Sequence, residues 1–343
     1  GTQGSNYFLA SASVSADIGS ITPKTVTANL TGKVKKTYDG TKTAALTGDN
    51  YTLSGVLTGE TVLLNNPEKG SFDSKNKGTG KIILVDDAAI SGDDAANYVL
   101  ESSSIQAAIG EINPKEVTAS LTGTVNKTFD GTTSASLSNV NYALSGALEG
   151  EMVALNNPAT GDFDNKNKGS NKLVTVTGIS LTGTDAANYS LLNTSAEATV
   201  GTISAKPVTL SLKASPVITK VYNGNTDASL AAGNYTLSGV LSGDVVSVSG
   251  KASFDTKNTG LSKIVTASNF ALSGTDNSNY VLSTITASTT GSVTPKALTV
   301  TASDETRFQG EENPAFRIDY NGFVFGEDES YLSSKPVAST SAT

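Results

Sequence analysis

The sequence has no cysteine, no histidine and no tryptophan among its 343 residues. Without cysteine the protein has no disulfides, no thiolate metal site and no thiol nucleophile. Without histidine it lacks the side chain that most often transfers protons near neutral pH and the commonest imidazole metal ligand. No serine lies in the strand-turn-helix setting of a nucleophile elbow. We therefore expect a protein that is not an enzyme.

Positive charge is also scarce in this sequence. Lysine and arginine number 24 against 32 aspartate and glutamate residues, which gives a formal net charge of −8. No cluster of basic residues provides the electrostatic surface that nucleic acid or anionic lipid requires. No run approaches about 18 consecutive apolar residues, so we expect no membrane insertion. Aromatic residues make up only 6% of the chain, which disfavours stacking on sugars.

The most informative feature that is present is a long internal repeat. Segments that end at Lys24, Lys115, Lys206 and Lys296 are spaced by 91, 91 and 90 residues. The motifs NYxLSG and FDxKNxG recur at nearly the same interval, so three complete copies are present. Residues 1–20 match the end of a copy, and we expect the native array to be longer than this sequence. A repeat of this length exceeds the roughly 20–50 residues of a solenoid unit.

Apolar and polar residues alternate inside each copy. Val117, Ala119 and Leu121 share one face of a predicted strand, and Val174 and Val176 share one face of another. Turn signals separate such strands by roughly 8–12 residues, which is typical of sandwiches and barrels. We predict an all-β protein, a tandem array of β-sandwich-like (Ig-like) domains that form an elongated rod. The predicted domains are residues 1–20 (the end of a preceding repeat), 21–111, 112–202 and 203–292 (three repeats), and 293–343 (the start of a different β domain).

Each copy carries a short triplet made of an aromatic residue, Asp or Asn, and glycine. The triplets are Tyr38-Asp39-Gly40, Phe129-Asp130-Gly131 and Tyr222-Asn223-Gly224. The aromatic ring is present in all three copies, although Phe129 lacks the hydroxyl. A side-chain oxygen is also present in all three, although Asn223 lacks the negative charge. A ring in the core, an oxygen that accepts a backbone N–H and a glycine with positive φ predict a structural turn. The alternative is a loop that stacks on carbohydrate or binds a metal, which would be expected to keep the hydroxyl or the carboxylate.

Two groups of side-chain oxygens are candidates for a calcium site. The loop at residues 72–78 contains acidic and amide side chains, but lysine lies inside it in every copy, at Lys75, Lys166 and Lys257. A lysine there would repel a cation. The better candidates are Asp93 and Asp94, with Asp185 and Asp276 in the later copies. The later copies keep one carboxylate of the two, so we predict no metal and no cofactor, with calcium as the alternative.

The recurring motifs resemble those of a known family. The triplets at Tyr38, Phe129 and Tyr222, followed by NYxLSG and FDxKNxG, resemble the YDG repeats of large bacterial adhesins of the filamentous-haemagglutinin type. This resemblance implies an extracellular, multi-copy, β-rich stalk displayed at the bacterial cell surface, without catalytic residues.

The segment from Lys296 resembles the opening of the MBG ("mostly beta-glycine") repeats that often adjoin YDG repeats. Its marks are Gly310, Asn313 and the YNGF motif at residues 320–323. It differs from that family in having Phe308 where tyrosine is typical.

These features favour non-catalytic stalk or spacer repeats of a large cell-surface or secreted adhesin that acts in cell adhesion or biofilm formation. Contacts with polysaccharide, host or neighbouring cells would be made by other parts of the full-length protein, and this part would be a monomeric rod. The alternatives are repeats that themselves bind a polysaccharide, a partner protein or one another through exposed strand edges. A lysine–asparagine crosslink within a copy also stays open.

Overall fold

The computed structural model describes residues 2–324 and 326–341. Within this part of the chain the structure is all-β, as predicted, and its helices are single 3-10 turns. None of these helices is long and apolar enough to cross a membrane. The 3-10 turns are Gly4–Asn6, Gly48–Asn50, Ala95–Asn97, Asn139–Asn141, Ala186–Asn188, Ala232–Asn234, Asn277–Asn279 and Glu329–Tyr331.

The first copy folds into ten strands. They are β1 Lys24–Leu30, β2 Val34–Thr37, β3 Thr43–Ala45, β4 Tyr51–Ser54, β5 Leu63–Leu64, β6 Lys69–Phe72, β7 Gly78–Val85, β8 Ile90–Ser91, β9 Tyr98–Leu100 and β10 Ile105–Asn113. A three-stranded sheet has the order β4-β1-β9, and a five-stranded sheet has the order β2-β10-β7-β6-β3. Each sheet contains one parallel pair, β1 with β9 and β2 with β10. Strands β5 and β8 form a separate two-stranded sheet.

The three-stranded and five-stranded sheets recur in the second and third copies, and the separate two-stranded sheet recurs in the second. The second copy consists of β11 Lys115–Leu121, β12 Val125–Thr128, β13 Ser134–Ser136, β14 Tyr142–Ser145, β15 Ala154–Leu155, β16 Thr160–Phe163, β17 Gly169–Thr177, β18 Leu181–Thr182, β19 Tyr189–Leu191 and β20 Ser195–Ser204. The third consists of β21 Lys206–Leu212, β22 Thr219–Val221, β23 Asp227–Ala228, β24 Tyr235–Ser238, β25 Ser247–Phe254, β26 Gly260–Ser273, β27 Tyr280–Leu282 and β28 Thr286–Thr294. A hairpin of β29 Thr299–Ala302 and β30 Ile318–Asn321 follows.

The predicted alternation decides which face of each strand is buried. In β11, Val117, Ala119 and Leu121 are buried and the residues between them are exposed. In β17, Val174 and Val176 are buried. Successive side chains of a strand point to opposite faces, so one apolar row is enough to fix which face packs on the core.

The chain forms two compact units whose boundaries in the sequence fall inside the second copy. Unit 1 consists of Gly1–Leu121, Ser138–Pro158 and Val176–Ala196. Unit 2 consists of Thr122–Leu137, Ala159–Thr175 and Glu197–Thr343. The three-stranded sheet of the second copy therefore belongs to unit 1, and most of its five-stranded sheet belongs to unit 2.

The main core of unit 1 contains buried residues from two copies. Tyr38, Phe72 and Ile83 come from the first copy, whereas Val117 and Tyr189 come from the second. A single residue, Pro114, separates the end of β10 from the start of β11. The chain therefore passes from the five-stranded sheet of one copy directly into the three-stranded sheet of the next. Because burying a large apolar side chain stabilises by about 1.5–3 kcal/mol, the second copy contributes to the stability of this core.

Unit 2 has a corresponding cluster in the third copy. Ile218, Phe254, Val265 and Val293 are buried there, and Tyr222 of the third triplet packs against them.

Candidate functional site

The triplet of the first copy forms a tight turn directly after β2. Asp39 Oδ1 accepts hydrogen bonds from the backbone N–H of Thr41 at 2.9 Å and from Lys36 Nζ at 2.8 Å. Gly40 has a φ of 79°, in the left-handed region that residues with a Cβ rarely adopt. This turn, residues 38–41, is named the YDG turn below.

The other two copies have the same turn. Asp130 Oδ1 accepts from the backbone N–H of Thr132 at 2.9 Å, and Asn223 Oδ1 accepts from that of Asn225 at 3.3 Å. The oxygen needed for the turn is thus supplied by a carboxylate or an amide, which accounts for the tolerance to charge. The glycines have φ angles of 80° at Gly131 and 83° at Gly224.

The ring of the first YDG turn contacts the second copy inside unit 1. Tyr38 is only 1% exposed, and its ring meets that of Tyr189 edge to face with centroids 5.5 Å apart. Its hydroxyl donates a hydrogen bond to Glu151, 113 positions further along the chain. The turn therefore joins one copy to the next.

Glu151 is the centre of this contact. Besides the hydrogen bond from Tyr38, its carboxylate accepts one from the Tyr189 hydroxyl at 2.8 Å and one from Lys75 Nζ at 2.8 Å. The Glu151 side chain is 8% exposed. A buried carboxylate needs such compensation, because leaving it without partners costs several kcal/mol.

Lys75 belongs to the loop at residues 73–78, named the lysine loop below. The same loop also binds the second copy through Asn188. The backbone N–H of Lys77 donates to Asn188 Oδ1 at 2.9 Å, and Asn188 Nδ2 donates to Asn76 Oδ1 at 3.2 Å. In the second copy, Leu148, Glu151, Asn188 and Tyr189 together form what we call the acceptor site.

Electrostatics favour the charged carboxylate of the acceptor site. Burial alone would raise the pKa of Glu151, but hydrogen bonds from Lys75, Tyr38 and Tyr189 outweigh it and hold the pKa below its usual value. Burial, together with the hydrogen bond to Glu151, raises the pKa of Tyr38 to about 12. The contact is thus a neutral tyrosine and a lysine cation on a carboxylate anion.

Within unit 2, the second YDG turn makes a related contact with the third copy. The ring of Phe129 meets that of Tyr280 edge to face at 5.5 Å. Asp244 takes the place of Glu151, and it accepts a hydrogen bond from the Tyr280 hydroxyl at 2.5 Å. Lys166 lies 3.8 Å from that carboxylate. Asn279 accepts from the backbone N–H of Lys168 at 2.8 Å, as Asn188 does from Lys77.

The third YDG turn contacts the C-terminal segment, also within unit 2. The Tyr222 hydroxyl donates to Glu327, and Lys257 Nζ lies 3.0 Å from the same carboxylate. The hydrogen bonds from Tyr222 and Lys257 lower the pKa of Glu327. The acceptor role therefore passes to a segment that is not a fourth copy.

The identity of the turn residue and that of the acceptor change together. Tyrosine at 38 and 222 faces glutamate at 151 and 327, whereas phenylalanine at 129 is matched with aspartate at 244. A tyrosine hydroxyl has its own hydrogen bond to satisfy when buried, whereas a phenylalanine ring has none. A comparison of the triplets alone suggests that the tyrosine hydroxyl is dispensable. In the structure, however, the hydroxyl donates a hydrogen bond wherever the acceptor is glutamate.

This pairing gives a double-mutant test in unit 2. We expect Phe129→Tyr combined with Asp244→Glu to be more stable than the sum of the single changes predicts, by about 1 kcal/mol or more. The reason is that the new hydroxyl and the longer carboxylate form a charge-assisted hydrogen bond only when both are present. Thermal unfolding of the four proteins by calorimetry measures the coupling. Additivity within about 0.3–0.5 kcal/mol would contradict it.

The aspartates considered for calcium hold the backbone next to the acceptor carboxylates. Asp94 accepts from the backbone N–H of Thr61 at 2.8 Å, and Asp185 from that of Met152 at 2.9 Å. Asp276 likewise accepts from the residue after Asp244, at 2.9 Å. Asp93 lies exposed beside Asp94. In residues 2–324 and 326–341, no three carboxylates come close enough together to hold a metal.

Lysine–asparagine contacts exist in the second and third copies. In the third, Lys220 Nζ lies 2.8 Å from Asn225 Oδ1, and the contact in the second also includes an aspartate. Lys172 Nζ lies 2.8 Å from Asn165 Oδ1 and 2.7 Å from Asp164 Oδ1. Asn165 is exposed, and the first and third copies have Ser74 and Thr256 at its position. The amide is therefore not a shared feature of the repeat.

The acceptor carboxylates predict acid sensitivity. The pKa of Glu151 is lowered by folding, so its contribution to stability is present above the usual glutamate pKa of 4.5 and is lost as the pH falls below it. The absence of histidine removes the usual source of pH dependence near neutrality. We expect the midpoint of thermal unfolding to be nearly constant from about pH 6 to 9 and to fall below about pH 4.5. Glu151→Gln should reduce this acid-induced fall, and an unchanged pH profile in that variant would contradict the assignment.

Comparison with known families gives a separate match for each copy. The YDG domain matches residues 22–106, 113–198 and 204–289, and the MBG domain (YGX type) matches residues 298–343. The resemblance stated from the sequence is thereby confirmed. Each of the three turns lies in a YDG match, and Glu327 lies in the MBG match. No curated protein and no solved structure matches the chain.

Proposed function

Because this chain belongs to the YDG domain family in three successive copies, we propose that it is a non-catalytic stalk of a large bacterial cell-surface or secreted adhesin. YDG and MBG domains occur in adhesin-like repeat proteins. In this proposal the stalk lies outside the cell and holds an adhesive region away from it, for cell adhesion or biofilm formation. Other parts of the full-length protein contact polysaccharide, host or neighbouring cells, and the stalk needs no calcium.

The observation that carries the proposal is the contact between successive copies in unit 1. Glu151 of the second copy receives hydrogen bonds from Tyr38 and Lys75 of the first, in a site where its side chain is 8% exposed. A buried, charge-paired contact restricts motion between copies, whereas a flexible linker would allow it. The contact therefore supports the proposal of a stalk. Such contacts are also expensive to break, since they leave a buried charge without a partner.

The distribution of aromatic rings also supports a stalk over a sugar-binding repeat. Among residues 22–289, all of which the structure describes, no aromatic side chain is exposed. Among the other described residues, the exposed rings are Tyr7, Phe8, Phe308 and Tyr331. A sugar ring stacks on an accessible aromatic face, whereas the rings of the copies are buried or half-buried.

Two measurements test the proposal. Stretching single molecules between a surface and a cantilever should give discrete unfolding events, with a lower force in Tyr38→Ala, because the turn then no longer joins two copies. A chain that extends without discrete unfolding events would contradict a role in transmitting force.

Screening the immobilised protein against polysaccharides and cells should give no saturable binding. Saturable binding by the repeats would favour the alternative, in which each copy is itself a binding module.

A further inference from the structure

The first copy has an acceptor site of its own, made by residues equivalent to those of the second copy. Leu57, Glu60, Asn97 and Tyr98 precede Leu148, Glu151, Asn188 and Tyr189 by 91 positions each. The backbone N–H of Leu57 donates to the Tyr98 hydroxyl at 3.1 Å, as Leu148 does to Tyr189. The Tyr98 hydroxyl donates to Glu60. The internal hydrogen bonds of the acceptor site are therefore formed before anything occupies it.

What differs between the two acceptor sites is exposure. Asn188 is 4% exposed because the lysine loop of the first copy covers it, whereas Asn97 is exposed. Leu57 is 50% exposed, whereas Leu148 is partly buried against Gly40. An open cavity of about 390 Å³ is lined by Leu57, Glu60, Asn97 and Tyr98 and by residues 21–24. In the second copy, the corresponding residues contact the YDG turn and the lysine loop.

A second feature of unit 1, which borders the same cavity at Ile21 and Thr22, indicates the same occupant. Val14, Ile18 and Ile21 are 99%, 93% and 101% exposed. The residues 91 positions later lie in β10, where Ile105 and Ile112 are 7% and 2% exposed. Residues 14–22, all of which the structure describes, form no strand pairing. Their equivalents in β10 lie between β2 and β7 in the five-stranded sheet.

We propose that residues 14–22 and the acceptor site of the first copy together bind one more YDG repeat. Residues 14–22 would complete its five-stranded sheet by strand addition between two of its strands. The YDG turn and the lysine loop of the added repeat would fill the cavity. The lysine of that loop would form an ion pair with Glu60, as Lys75 does with Glu151. Charge complementarity and two examples of the same contact within this chain identify the occupant. The assignment goes beyond the stalk function, since it holds for an array of YDG repeats with any role.

The absence of cysteine allows a direct labelling test in the intact protein. An extended chain is made in which residues 1–113 are followed by residues 23–343, so that the second occurrence of the first copy has a complete copy ahead of it. Leu57→Cys is introduced into that occurrence, and separately into the original chain. Leu148→Cys in the original chain is the matched control. The rate of reaction with a maleimide is measured for each thiol.

We expect Leu57→Cys to react rapidly in the original chain and at least about 10-fold more slowly in the extended chain, near the rate of Leu148→Cys. An equally fast reaction in the extended chain would overturn the proposal. So would protection by an added polysaccharide but not by the added copy, which would identify a different occupant.

A second measurement does not depend on the introduced thiol. In the extended chain, Glu60→Ala is made in the second occurrence of the first copy. It should lower the unfolding temperature of that chain as much as Glu151→Ala lowers that of the original chain. Glu60→Ala in the original chain should have a much smaller effect. Equal small effects in both chains would overturn the proposal. If they occur while Glu151→Ala remains strongly destabilising, the contact between copies and the proposed stalk stand, and only the assignment of this surface fails.

Discussion

Replacing Tyr38 by alanine is expected to lower the free energy of unfolding of unit 1 by about 3–5 kcal/mol. The ring is 1% exposed and lies in the core shared by two copies, so its removal leaves a cavity that the surrounding sheets fill only in part. The change also removes the edge-to-face contact with Tyr189 and one of the hydrogen bonds to Glu151. For a unit of this size, calorimetry should show a fall in the unfolding temperature of roughly 2–4 °C for each kcal/mol.

Hydrogen exchange shows whether this loss is local or affects both copies. If the YDG turn joins two copies, Tyr38→Ala should increase exchange around Leu148 and Tyr189 of the second copy as well as in the first. Tyr38→Phe is the control, since it keeps the ring and removes only the hydroxyl, and it should cost at most about 1.5–3 kcal/mol. An increase in exchange confined to the first copy would show that Tyr38 is only a core residue of its own copy.

Replacing Glu151 by alanine is expected to cost about 2–4 kcal/mol of stability, because two buried tyrosine hydroxyls lose a charged acceptor. Lys75 adds little to this loss, since its side chain is 41% exposed and water solvates its ammonium group. Tyr38, Tyr189 and Lys75 all donate hydrogen bonds to this carboxylate. Without it, two buried hydroxyls and an ammonium group lose their acceptor. Urea or thermal unfolding of the variant measures the loss.

The matched control is Glu60→Ala in the first copy of the same chain. Glu60 occupies the equivalent position, but its hydrogen bond comes from Tyr98 of its own copy. We expect this change to cost only about 1 kcal/mol. The difference between the two variants then measures the contact with the neighbouring copy, separately from the role of the carboxylate within its own copy. Equal losses would mean that the contact between copies contributes little.

All three triplets contact an acidic acceptor residue further along the chain or the tyrosine beside it, and the contact has two chemical forms. A tyrosine turn is matched with a glutamate acceptor, and a phenylalanine turn with an aspartate acceptor. Because the acceptor of the third turn is Glu327 in the MBG match, the same contact also joins a YDG copy to a different domain. An array of mixed YDG and MBG domains can therefore use one kind of contact throughout.

The all-β class, the three copies and the geometry of the YDG turn can all be predicted from the amino-acid sequence. Each of these depends on residues close together in the chain. The alternation in Val117, Ala119 and Leu121 decides which face of β11 is buried, and a side-chain oxygen followed by glycine is enough to specify a turn. Such local signals can be read from a single sequence because the interacting residues are neighbours.

The contact that the YDG turn makes with the next copy depends on long-range packing. Tyr38 and Glu151 are 113 positions apart, and nothing in the local pattern at either residue indicates the other. The position of Lys75 in the lysine loop argues against a bound cation, but the sequence does not indicate that its partner is Glu151. The unit of packing also differs from the unit of sequence, because the five-stranded sheet of one copy and the three-stranded sheet of the next share a core. Long-range packing and the burial of charge determine that arrangement, and they act between residues that the sequence keeps far apart.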